Sequence, residues 1–209
     1  MGIDDTLKHF ITVFAIVDPI GAVIFFMAFT ANLSPAERRK TAFVAPMTMA
    51  ITLGVAVLAG EKVLWFFGIS IHSFKVGGGT LLLLTSIAML WGHSPWVRST
   101  HDERKESEEM QNVAVVPLGI PLLAGPGAIT TVVIGAQEAK SAMSVGVLMG
   151  VILAVAVITL LLFLQADRIS KLLGKTGTNI FTRLLGLILA SVSVEIIAKG
   201  IKGLFPLLG

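Results

Sequence analysis

Apolar residues fall along this chain in six long blocks. They run over residues 9–31, 41–59, 74–92, 113–136, 143–166 and 181–206. Each approaches the ~20 residues an α-helix needs to cross about 30 Å of hydrocarbon. None has the short apolar–polar alternation of a transmembrane β-strand. The pattern predicts an all-α membrane protein with six transmembrane helices. The polar stretch "HSPWVRSTHDERKESEEMQN" at 93–112 reads as a cytoplasmic linker between residues 1–92 and 113–209.

Composition excludes a soluble domain. Of 209 residues, 55% are hydrophobic and 14% charged, against about 25% charged in an average soluble domain. Charged groups so sparse could not cover a water-facing surface. There is no cysteine, hence no disulfide framework or thiolate site. The net charge of +3 does not point to nucleic acid, because it follows from where the loops lie. Ten basic residues (Arg38, Arg39, Lys40, Arg98, Arg104, Lys105, Arg168, Lys171, Lys175, Arg183) fall in loops on one side. Six (Lys8, Lys62, Lys75, Lys140, Lys199, Lys202) fall on the other. The positive-inside rule puts the larger group in the cytoplasm and both termini outside. Asp4 and Asp5 precede the first block, the wrong charge for a cleavable signal.

The two halves are copies of one pattern. Setting Gly21 on Gly127, an offset of 106 residues, lays "DPIGAV" over "PGAI". The same offset places Glu61 and Lys62 on Asp167 and Arg168, and Gly68 on Gly174. One inserted residue later, Phe74 meets Phe181 and Gly79 meets Gly186. A unit of three spans must enter the membrane from the opposite face when repeated, so the expected fold is two inverted three-helix repeats. Secondary transporters recurrently use this plan, with their sites near the midplane where the repeats meet. The segments 61–70 and 167–175 are each expected to form a short interfacial helix closed by glycine.

The first helix of each half is predicted to be broken. Asp18, Pro19 and Gly21 interrupt span one at its centre. Pro117, Pro121, Gly125, Pro126 and Gly127 crowd span four. Proline removes an amide donor and clashes with the preceding turn. Asp18 before Pro19, and Gly125 before Pro126, are good chemistry for starting a second half-helix. Amides exposed at such a start favour anions, and irregular backbone at this depth must be buried or line a wet cavity. Asp18, Pro19, Gly21, Gly125, Pro126, Gly127 and Thr130 are therefore the candidate substrate-binding residues. Glu195, mid-helix in "ASVSVEIIA", is the second carboxylate inside a span and the candidate for coupling.

Other chemistry lacks a basis in the sequence. "GKT" at 174–176 has Ile169 where a phosphate-binding loop needs glycine. His93, His101 and Asp102 have no spaced partners for a metal. No catalytic residue, cofactor or metal is assigned, and the chain is not expected to be an enzyme.

"DPIG" in span one, "PLGIPLLAGPGAITTVV" at 117–133 and "TRLLGLILASVSVEII" at 182–197 resemble the MarC/SnatA family of prokaryotic membrane proteins. The resemblance covers nearly the whole chain. It implies a six-helix protein of a bacterial or archaeal inner membrane and amino acids as the substrate class; the site residues themselves suit small, neutral amino acids, with protons or sodium as coupling ions. An exporter of another metabolite or drug, or a passive channel, is the alternative. On this expectation, the amides after Gly125 meet the substrate carboxylate, Asp18 meets its ammonium, and Glu195, if enclosed in the protein with a raised pKa, carries a coupling proton.

Overall fold

The structure is a computed structural model that describes residues 3–91, 114–139 and 141–205. The linker 93–112 and Lys140 lie outside the described residues. Among those described there is helix and no strand: α1 (Ile3–Val17), α2 (Pro19–Phe29), α3 (Pro35–Phe66), α4 (Ile71–Leu90), α5 (Ala114–Leu123), α6 (Pro126–Glu138), α7 (Ala142–Leu164) and α8 (Ala166–Leu204). α5 is wound as a π-helix.

The helix starts follow from local chemistry. Ser34 and Glu37 form a reciprocal capping box around Pro35 at the head of α3. Ser70 and Ser141 accept from Ser73 N and Ser144 N to cap α4 and α7. Each satisfies an amide that the helix leaves without a partner.

Five helical stretches are long and apolar enough to cross a membrane: Asp5–Phe29, Pro35–Phe66, Ile71–Leu90, Ala142–Leu164 and Thr176–Leu204. The fourth predicted block, 113–136, is divided between α5 and α6, of 10 and 13 residues, neither of which reaches that length alone. The predicted interfacial helix at 61–70 does not form as a separate element. α3 continues through Glu61 to Phe66 without interruption, because nothing before Gly68 stops it. The counterpart at 167–175 is set apart, since Gly174 adopts φ +59° and kinks α8. Gly68 and Gly174 are the two positive-φ glycines among the described residues, a conformation that costs glycine little and other residues more.

The helices are apolar inside and out. Met49, Leu53, Leu118, Val132, Ile152 and Leu189 are fully buried. Met47, Ile51, Val55 and Leu58, on the outer face of α3, are 58–64% exposed. A helix hydrophobic all round belongs in a nonpolar solvent.

α4 and α8 run antiparallel along most of their length. Gly79 faces Ile196 and Ile197, Gly186 faces Met89 and the Ser86 carbonyl, and Gly200 faces Val76 and the His72 carbonyl. Missing side chains let the backbones approach, which is how membrane helices gain packing without a hydrophobic driving force. α1 runs antiparallel to α6: His9 lies by Gly135 and Ile16 by Gly127. α3 packs on α5, α6 and α7, and α2 on α5, α7 and α8.

The α4/α8 seam makes a direct prediction. A Cβ on Gly186 would sit 3.0 Å from Met89 Cβ, whereas one on Gly146 in α7 meets nothing within 4 Å. Gly186→Leu should destabilise the fold by about 1–3 kcal/mol and Gly146→Leu should not, as read by denaturant titration in lipid micelles.

Candidate functional site

The first break is built on Asp18. Its backbone sits at φ 42°, ψ 61°, the single positive-φ non-glycine position among the described residues. Asp tolerates this left-handed conformation better than most residues because its short side chain can bond locally. Oδ1 accepts from Gly21 N at 3.0 Å, capping α2, and Oδ2 accepts from Thr182 Oγ1 of α8 at 2.8 Å. Pro19 is buried at the first helical position, where its missing N–H leaves no donor unpaired. Gly21 is buried because the carboxylate lies against it; a Cβ there would fall on Asp18 and reach 2.8 Å from Thr182 Oγ1.

The second break starts α6. Gly125 is the N-cap at φ −74°, ψ 170°, and no side chain caps this helix. The two breaks are therefore chemically unequal: a carboxylate covers one helix start, and only glycine precedes the other. Pro126 is exposed, while Gly125, Gly127 and Thr130 are buried. Gly127 is held between Ile16 and Leu82, so the second break rests against the residues just before the first. Thr130 presses its methyl group into the space left by Gly78 of α4. Thr131 Oγ1 donates to the Gly127 carbonyl at 2.9 Å.

Next to the second break lies a cavity of about 380 Å³ between α1, α6 and α8. Thr131 lines it, one turn beyond Gly127. Its charged walls are Asp5, Lys8, Glu138, Glu195 and Lys199, with the His9 imidazole among them. Lys75 Nζ holds Glu138 Oε1 at 2.9 Å and is only 14% exposed. Lys199 Nζ holds Glu195 Oε1 at 2.9 Å, one helical turn away.

The candidate residues thus separate into two groups. Asp18, Pro19 and Gly21 make up the first break and Gly125, Pro126, Gly127 and Thr130 the second; Ile16 against Gly127 links the two, and none of the seven lines the cavity. Glu195 does not join them. It lies 13 positions beyond Thr182 on α8, about 20 Å along the axis. The expectation of a carboxyl enclosed mid-helix is corrected: the Glu195 side chain is 65% exposed and ion-paired. The cause is its place on the helix face that borders the cavity. Lys8, His9, Lys75, Glu138 and Lys199 carry no site role in the sequence reading. Their signal was available only as position, since each lies within a few turns of a span end and counts there as a loop charge.

The family model described as MarC family integral membrane protein matches residues 4–205. This chain belongs to that family. It is 36% identical over 202 residues to the UPF0056 membrane protein YhcE of Escherichia coli, covering 95% of this chain and 93% of that one. It is 39% identical to the UPF0056 membrane protein YvbG of Bacillus subtilis, over 95% of both chains. With the UPF0056 membrane protein MJ1677 of Methanocaldococcus jannaschii it shares 40% identity, over 94% and 98% of the two chains. No solved structure is matched. The MarC family assignment agrees with the apolar exterior of the helices.

In this MarC family protein the Asp18 cap should be a measurable part of stability. Asp18→Ala removes both hydrogen bonds, and should cost about 2–4 kcal/mol by thermal unfolding in detergent. Asp18→Asn keeps an acceptor for Gly21 N and should cost less. Gly21→Ala, forced against the carboxylate, should resemble Asp18→Ala.

Proposed function

We propose that the protein is a secondary transporter of small, neutral amino acids across the inner membrane of a prokaryote. The carrying observation is the cavity beside the second break. With Lys75, its charged groups are three carboxylates and three ammonium groups. Equal charge of both signs suits a dipolar solute better than a net anion or cation. The uncapped start of α6, one turn beyond the cavity wall, suits the substrate carboxylate. Asp18, on the neighbouring break, suits the ammonium.

An architecture of six spans in two inverted repeats is supported by several of the helix pairings, though α1/α8 has no α5/α4 counterpart of like extent among the described residues. Exchanging α1 and α2 with α5 and α6, α3 with α7, and α4 with α8 turns the α2/α8 contact into α6/α4. It turns α3/α5 into α7/α1 and α3/α6 into α7/α2, and all of these contacts occur. The pairs α4/α8 and α3/α7 map onto themselves. Gly79 against Ile196 likewise maps onto Gly186 against Met89 at an offset of 107 residues. The charge bias of the loops supports both termini lying outside, so the cavity opens outward. Glu195 and Lys199 then face external water as an ion pair: a substrate carboxylate that draws Lys199 away would leave Glu195 to take up a proton, coupling proton and solute.

The test is counterflow of labelled neutral amino acids in proteoliposomes. The parent should show saturable exchange. Asp18→Asn should lower uptake by about 10- to 100-fold, the worth of one charge-assisted hydrogen bond. Glu195→Gln should flatten the pH dependence of uptake while leaving exchange itself. Absence of exchange for every amino acid would reject the substrate assignment, and unaltered pH dependence in Glu195→Gln would remove that residue from coupling. Competition by other metabolites or drugs would favour an exporter, and currents in planar bilayers without saturation a channel.

A further inference from the structure

The end of the bundle opposite the cavity is tied together by four side chains from four helices. Arg38 of α3 holds Asp167 Oδ1 of α8 at 3.0 Å. Its guanidinium lies over the Phe26 ring of α2, 5.6 Å from the centroid. Phe26 stacks on Phe163 of α7 with centroids 4.4 Å apart and planes 16° from parallel. Both rings are fully buried, and Arg38 is 29% exposed. The order from water inward is an exposed carboxylate, a half-covered cation and two sealed rings. Beneath them lies Thr159, one turn before Phe163 and buried.

We propose that Arg38, Asp167, Phe26 and Phe163 form the gate that shuts this end, and that the other end stands open because their repeat counterparts cannot build one. The proposal rests on the transporter reading and its inverted repeat. At the offset of 106 residues, Phe26 corresponds to Val132, Arg38 to Ser144, Phe163 to Val57 and Asp167 to Glu61. The counterpart set has no cation and no aromatic ring. It can make neither the ion pair, nor the guanidinium contact with a ring, nor the stack. A protein of two equivalent halves would have no preferred side. Here one end carries the clamp and the other the 380 Å³ cavity, so the substitutions that break the repeat set the resting state. The clamp is also suited to opening. An exposed ion pair contributes about 0–1 kcal/mol and a cation over a ring about 0.5–2 kcal/mol, enough to bias two states without locking one.

The chain contains no cysteine, which allows single-cysteine reporters on an otherwise unaltered protein. Val192→Cys reports on the cavity wall and Thr159→Cys on the space beneath the clamp. Each is reacted with a charged maleimide in proteoliposomes. On the parent background, Val192→Cys should label fast and Thr159→Cys should resist. Adding Phe163→Val, which restores the counterpart residue, should raise Thr159→Cys labelling about tenfold and slow Val192→Cys, as expected for a shift of about 1.4 kcal/mol between two states. Asp167→Asn, on a carboxylate that is 63% exposed and so of little structural consequence, should move both rates the same way to a smaller extent. Opposite movement of the two reporters supports the gate. Unchanged rates in folded Asp167→Asn and Phe163→Val proteins overturn it, as does faster labelling at both positions, which would mean general loosening. Labelling does not require an amino acid to be transported. A rate shift without counterflow would thus keep the gate and reject the substrate, and counterflow with unchanged rates would do the reverse.

Discussion

A helical backbone surrounded by apolar side chains has to account for every amide and carbonyl, and two of the places where this fold breaks its helices, Asp18 and Gly125, lie inside apolar stretches. At Asp18 the debt is met within the chain. The carboxylate caps α2 through Gly21 N and is itself steadied by Thr182 from α8. At Gly125 the cap has no side chain. Much of the remaining structure is arranged around that difference. Gly21 must be glycine to let the carboxylate in, α8 must pass close enough to offer Thr182, and Gly127 must be small to fit between Ile16 and Leu82. Unpaired polar backbone in a nonpolar setting costs several kcal/mol, so these demands outweigh ordinary choices of side-chain packing.

Close approach of backbones is the second theme. Glycines bring α4 against α8 at Gly79, Gly186 and Gly200, and α4 against α6 at Gly78. In water such residues would be weak helix formers. Here they remove the bulk that would hold the helices apart, and dispersion along the seam replaces the hydrophobic effect as the source of cohesion. The long antiparallel α4/α8 contact forms a shared spine, and the broken helices lean on it through Thr130 and Thr182.

The ion pairs among the described residues lie toward the two ends of the bundle. At one end ion pairs line an open cavity; at the other an ion pair covers buried rings. These charges do different work despite similar chemistry. Lys75 is 14% exposed and keeps Glu138 in place at the cavity wall, whereas Asp167 is 63% exposed and holds Arg38 over a hydrophobic seal. A cavity beside an uncapped helix start, with an ion pair over buried rings at the opposite end, is the arrangement from which the transport reading draws its strength.

Local rules made much of this legible in the sequence. The apolar blocks, the interruptions at Asp18 and Gly125 and the positive-φ glycine at Gly174 depend on residue type and near neighbours. The family resemblance likewise follows from residue order, and the family is confirmed over residues 4–205. Other features depend on which faces meet. Glu195 stands inside an apolar run in sequence, but only the packing of α1, α6 and α8 opens a cavity beside it. Lys75 and Glu138 are 63 positions apart, and Arg38 and Asp167 are 129 apart. A hydrophobicity pattern fixes depth and period along one helix but carries no distance between helices. Residue order along each segment sets where the chain is helical, apolar and broken. Packing sets which charges pair and where the cavity opens, because both depend on the spacing between helices.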